Sequence, residues 1–73
     1  MKLKIGNKTV EVASLEQASK VFQDMRDEYE CETGKTYKRF GLIVGTDFYI
    51  SYNGRVWQGD YKSNNNKLIA EAA

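Results

Sequence analysis

The stretch ISYNGRVW, Ile50 to Trp57, decides how the second half of the chain is read, because an Asn-Gly pair between two alternating apolar runs is the strongest short-range signal for a β-hairpin. A two-residue turn at Asn53-Gly54 pairs Tyr52 with Arg55, Ile50 with Trp57 and Phe48 with Gly59. Upstream, a loop of Gly45, Thr46 and Asp47 pairs Val44 with Phe48, Leu42 with Ile50 and Phe40 with Tyr52. This register gathers Phe40, Leu42, Val44, Phe48, Ile50, Tyr52 and Trp57 on one side of the strands, which makes that side the core face. Trp57, the single tryptophan, is expected to pack under a helix.

The helix lies upstream. At Ser14 the apolar period changes from two to about 3.6. Leu15, Ala18, Phe22, Met25 and Tyr29, joined by Val21, recur at steps of three and four and draw one stripe. Ser14 and Gln17 have the S-x-x-Q spacing of a capping box, and Gly34 after Thr33 supplies the usual stop. Earlier still, MKLKIGNKTVEV reads as a hairpin around Gly6-Asn7, where a leading glycine suits a type II′ turn. It sets Ile5 opposite Lys8, Leu3 opposite Val10 and Met1 opposite Val12, with Lys2 facing Glu11 on the other side. At the far end, KSNNNKLIAEAA opens on an Asn run and leaves Leu68 to Ala73 room for a turn or two of helix at most, too short to hold by itself.

The order β-β-α-β-β-β implies an α+β fold: a two-layer sandwich with one helix packed on an antiparallel sheet. At 73 residues the chain fits a single small domain, residues 1–62, followed by an Asn-rich tail, residues 63–73. One consequence is an uncovered sheet face, expected to carry Arg39, Gly41, Ile43, Tyr49, Ser51, Val56 and Gln58 with the lysines of the first hairpin.

Composition removes several function classes. The formal charge is +1, from 11 basic and 10 acidic residues, so no overall field draws the chain to nucleic acid, a membrane or an acidic substrate. Cys31 is the only cysteine and can close no internal disulfide, which points to a reducing cytoplasm. No run has signal-peptide character or approaches the roughly 20 apolar residues of a membrane span, so a soluble, unprocessed protein is expected. The absence of histidine takes away the usual general base, a common metal ligand and any Ser-His or Cys-His pair. No catalytic, cofactor-binding or metal-binding residue is expected, and no cofactor.

Two clusters still need a reading. Asp24, Asp27, Glu28, Glu30 and Glu32 crowd the second half of the helix, where they read as a solvated outer face. They oppose the helix dipole at some tenths of a kcal/mol each, a cost that Lys35, Lys38 and Arg39 either offset or leave as a negative patch, a contact surface for a basic partner. Cys31 sits between Glu30 and Glu32, the opposite of the electropositive setting a reactive thiolate needs. GKTYKRF, Gly34 to Phe40, interleaves basic and aromatic residues as nucleic-acid binders do, but lacks the spacing of a phosphate-binding loop.

The helix opening VASLEQASKVFQDMRDE, Val12 to Glu28, followed by ISYNGRVW, resembles a group of short uncharacterised phage and prophage proteins with an S-x-E-x-A helix start and a closing ISYNGRVW hairpin. ASLEQA with FYISYNGRVW is similar to small anti-CRISPR inhibitors of type I-F effectors, which implies a one-helix sandwich that blocks a host complex by binding its protein surface. The order from Ser14 to Ala73 also resembles the double-stranded RNA-binding domain, although SNNNKLIAEAA lacks the Lys-Lys pair such domains place on their last helix. The expectation is a small non-catalytic accessory protein of phage or prophage type. It would bind a host or phage protein in the cytoplasm through the open sheet face and nearby charged loops, with Lys35, Lys38, Arg39, Ile43, Tyr49, Arg55 and Val56 as the candidate contacts. The alternative is a nucleic-acid-binding module that uses Lys35, Lys38, Arg39 and Arg55.

Overall fold

A computed structural model describes residues 1–59 and 66–72. Among them, six strands form one sheet with a single helix against it: β1 (Lys2–Ile5), β2 (Lys8–Glu11), α1 (Leu15–Thr33), β3 (Gly41–Ile43), β4 (Phe48–Ile50), β5 (Val56–Gln58) and β6 (Lys67–Ala70). The strand order is β2-β1-β3-β4-β5-β6, antiparallel throughout. This is the α+β sandwich that the alternation of periods implied.

The first hairpin has the expected register, with Ile5 opposite Lys8, Leu3 opposite Val10 and Lys2 opposite Glu11. Gly6 takes φ +59° while Asn7 does not have positive φ, which puts the left-handed position first in the turn, as type II′ requires. The helix starts where the capping pair placed it. Ser14 Oγ accepts from the Gln17 N–H at 3.1 Å, and Gln17 Oε1 reaches back to the Ala13 N–H, one residue before the partner of a standard capping box. At its end Gly34 turns left-handed, φ +69°, and its N–H donates to Glu30 O at 2.9 Å.

The core lies between α1 and one sheet face and consists of Leu3, Ile5, Val12, Ala18, Phe22, Ile43, Ile50 and Val56. Its deepest row crosses the sheet from Ile5 through Gly41, Ile50 and Val56 to Ala70. Gly41 is there because nothing larger fits: a Cβ at that position would stand 2.9 Å from Phe22 Cδ1 and 3.0 Å from Leu3 Cδ1. The Phe22 ring therefore rests close against the strand. Beside it Ser19, fully buried, donates its hydroxyl hydrogen to Gly54 O and accepts from Gln23 Nε2 at 3.2 Å, which ties the helix to the β4–β5 turn. Tyr29, expected at the end of the core stripe, is exposed instead.

Both loops that flank β4 hold one residue more than expected. β3 and β4 pair Gly41 with Ile50 and Leu42 with Tyr49, leaving four residues, 44–47, in the connection. Thr46 closes it: its N–H and hydroxyl both donate to Ile43 O, and its Oγ1 accepts from the Phe48 N–H at 3.1 Å. In the next turn the Gly54 N–H donates to Ser51 O at 2.8 Å, the Ser51 N–H to Arg55 O at 2.9 Å, and Gly54 has φ +90°. That is a three-residue loop, Tyr52-Asn53-Gly54, with the glycine in the left-handed position after the turn.

One added residue per loop reverses the sides of the neighbouring strands. β4 keeps the expected orientation, with Ile50 buried and Phe48 packed at the core margin. On β3 and β5 the sides are exchanged. Ile43 and Val56 go under the helix, while Phe40, Leu42 and Trp57 go to the open face. Trp57 is thus not the residue beneath α1; Val56 of the same strand takes that place.

The tail also differs from expectation. Where Leu68 to Ala73 had room for at most a turn or two of helix, Lys67–Ala70 form strand β6, with Gln58 opposite Lys67, Trp57 opposite Leu68 and Val56 opposite Ala70 across a bulge. A helix this short must supply its own nucleus, whereas a strand takes its hydrogen bonds from an edge already formed. The expected boundary at residue 62 lies outside the described residues.

Candidate functional site

With α1 on one side, no described element covers the other face of the sheet, and the register lays a single row of side chains across it. Thr9, Lys4, Leu42, Tyr49, Trp57 and Leu68 are successive neighbours from β2 to β6. The row runs from polar through basic to apolar. Phe40, just before β3, meets Tyr49 edge to face with centroids 5.7 Å apart. Trp57 is held by a hydrogen bond from Nε1 to Ser51 Oγ at 3.1 Å. Phe40, Tyr49, Trp57 and Asn66 border a shallow depression of about 370 Å³.

Tyr49 is only 6% exposed in this setting, whereas Leu42 and Leu68 at either side remain 42% and 40% exposed. Val44 adds a further exposed aliphatic side chain at the β3–β4 loop. The centre of the face is aromatic, but what it offers to solvent is largely aliphatic.

Lys38 and Arg39 reach this face through the segment between α1 and β3. Tyr37 anchors that segment, its ring edge-on to Phe22 at 6.2 Å and to Tyr29 at 5.2 Å, its N–H donating to Glu30 Oε2 at 2.9 Å. Burial raises the Tyr37 pKa; Arg39 acts against that rise and Tyr29 adds to it. With Tyr37 fixed inward, Lys38 and Arg39 join Lys4, Phe40 and Leu42 around a second depression of about 430 Å³.

The candidate contacts divide into three groups. Lys38 and Arg39 share one depression beside the open face while Tyr49 lines another, and Lys35 is exposed three residues before Lys38. Arg55 opens β5, two strands away from β3, and its guanidinium is paired with Glu71 at 2.9 Å. Ile43 and Val56 are core residues, 2% and 0% exposed, and offer a partner nothing. Their assignment to the surface followed directly from the loop lengths corrected above.

The acidic half of the helix is not offset by the three cations that follow it. Among the described residues Lys35, Lys38 and Arg39 make no ion pair. Instead Glu30 accepts from the Tyr37 N–H and, at 3.0 Å, from the Tyr52 hydroxyl. Arg26 pairs with Asp27, donates to Tyr52 O at 2.6 Å and stands 5.4 Å from the Tyr52 ring centroid. The hydrogen bond to Glu30 raises the Tyr52 pKa. Among the described residues no three of Asp, Glu, Cys and His stand together as a metal would need, and Cys31 is a free, exposed thiol. No helix among them is long and apolar enough to cross a membrane.

Sequence reasoning missed Phe40, Leu42, Trp57 and Leu68 as members of the open face. The signal that would have found two of them is Gly41. A glycine inside a strand marks a close approach from another element, so the helix belongs over Gly41 and its neighbours Phe40 and Leu42 belong on the far side. Compared with protein-family models, curated proteins and solved structures, the chain matches none.

Proposed function

We propose that the protein is a non-catalytic binding module that docks another protein on its open sheet face. The observation that carries this reading is the uncovered row Leu42, Tyr49, Trp57 and Leu68, with Lys4 at its end. An apolar centre with charged residues at the rim is the usual anatomy of a protein interface. The resemblance of the helix opening and the ISYNGRVW hairpin to phage and prophage proteins supports a more specific version: an accessory protein that inhibits or regulates a host complex in the bacterial cytoplasm.

A nucleic-acid reading is favoured by one observation, the grouping of Lys4, Lys38 and Arg39 beside Phe40. Binding a single strand by stacking needs free aromatic faces, however, and Tyr49 is nearly buried with Phe40 set edge-on against it. Arg55, which that reading also requires, is engaged by Glu71.

The test is a double substitution, Leu42→Ser with Leu68→Ser. Both side chains are well exposed, so the variant is expected to fold as the wild type does, judged by circular dichroism. A partner captured on the wild type from bacterial lysate, then purified and titrated by calorimetry, is expected to bind the variant at least about tenfold more weakly, a loss of 1.4 kcal/mol or more. Undiminished affinity would remove the open face from the binding reaction. For nucleic acid the signature would be a log-log salt slope near −0.7 per contacted phosphate on single strands, and no such steep binding is expected.

A further inference from the structure

Two depressions meet at the Gly6-Asn7 turn, and no acidic side chain is among the described residues that line either one. On the open face Lys4, Lys38 and Arg39 surround Phe40 and Leu42. Around the turn, toward the helix, Lys8 joins Lys38 and Arg39 beside Met25, Tyr29 and Tyr37. Four cations therefore flank one turn in a chain whose formal charge is only +1. None of the four makes an ion pair among the described residues. Most acids among the described residues lie on the helix, Glu11 pairs with the N-terminus and Glu71 with Arg55, while Asp47 stands beyond Leu42 in a further depression that it shares with Lys4.

From this separation of charge we infer that the docking segment of the partner is an acidic peptide stretch carrying a large apolar side chain. Its carboxylates meet Lys4, Lys38 and Arg39, and its apolar side chain lies on Phe40 and Leu42. The inference rests on the open-face reading and adds the chemistry of what binds there. Arginine accepts a carboxylate in the two-pronged geometry that makes such pairs specific, and lysine adds charge without that constraint. Because all three cations are solvent-exposed, their effect falls mainly on encounter rate and partner choice, and binding is expected to weaken moderately with salt. Phosphate would satisfy the same cations, so the test includes a nucleic-acid probe.

The experiment uses fluorescence anisotropy on the full chain with labelled peptides of about ten residues, long enough when extended to span the sheet at roughly 3.3 Å per residue. One pool mixes Asp and Glu with Leu, Phe and Trp. A second replaces the acids by Lys and Arg, a third replaces them by Ser and Asn, and a fourth keeps the acids but replaces the apolar residues by Ser. Oligothymidylate of matched length is the nucleic-acid probe. The acidic apolar pool is expected to bind at least about tenfold tighter than the other three pools, and Lys38→Glu with Arg39→Glu, or Leu42→Ser alone, to remove that advantage. Equal or tighter binding of the basic or neutral apolar pool, still lost in Leu42→Ser, would overturn the acidic inference and leave the open-face reading intact. Oligothymidylate displacing every peptide would overturn both in favour of nucleic acid. Binding of no probe at all would overturn both as well.

Discussion

Gly41 sets how closely the helix approaches the sheet, since a methyl group there would press into Phe22 and Leu3 at about 3 Å. Gly41→Ala is expected to cost about 1 to 3 kcal/mol by overpacking, a large part of the roughly 4 to 11 kcal/mol that a chain of this size has in total. Urea unfolding measures it, and an unchanged midpoint would show that the two neighbours can move aside. The same measurement separates two aromatic residues. Phe22, fully buried, should lose about 3 to 5 kcal/mol on replacement by alanine. Trp57, half-buried on the open face, should lose clearly less than Phe22, because part of its surface already meets water. Equal losses would put Trp57 back among the core residues. A third residue, Tyr52, is marked by its hydrogen bond to Glu30, which raises its pKa above the ordinary 10.0. A folded-state pKa raised in this way favours the neutral phenol, so the contribution of the bond is complete below the ordinary value and is lost as pH rises through the higher one. In an ultraviolet titration Glu30→Gln is expected to bring one late-ionising tyrosine earlier, and Tyr52→Phe to abolish that step; a wild-type curve in Glu30→Gln would remove the bond.

At the scale of elements, legibility depended on whether the signal was local. The first hairpin and the helix were readable because a glycine at the turn, a serine cap and a terminal glycine each act within a few residues. The β3–β4–β5 register was not, because Asn-Gly is compatible with both a two-residue and a three-residue loop, and the choice depends on what lies above the strand. Here Ser19 and Gln23 of the helix seat Gly54, and a Cβ on that glycine would fall 2.7 Å from the Gln23 amide. β6 escaped notice for a related reason: its hydrogen bonds come from β5, and nothing within Lys67–Ala70 announces the pairing. A chain ending at residue 66 is expected to lose about 1 to 3 kcal/mol, through the ladder bonds and the Ala70 contact. A full-length urea midpoint in that shortened chain would mean β6 adds nothing to stability.

For the whole molecule, the two-layer architecture and the existence of an open face followed from the order of elements, while the occupants of that face did not. Tyr49 lies on the open face because the orientation of β4 does not depend on the two loop lengths. Ile43 and Val56 were misplaced because each depends on a register that one residue reverses. The sheet order has a further consequence, for the sequence of events in folding. β3, β4 and β5 close connections of a few residues, but Leu3 of β1 finds Ile43 of β3 only after the chain has travelled through β2 and the whole helix. A closure about ten times longer costs roughly 2 kcal/mol more in chain entropy, so the seam between β1 and β3 is expected to form after the rate-limiting step. In stopped-flow experiments Leu3→Ala should therefore speed unfolding and leave the folding rate nearly unchanged, while Ile50→Ala slows folding. The reverse pattern would make the long-range seam the nucleus and the local hairpins its followers.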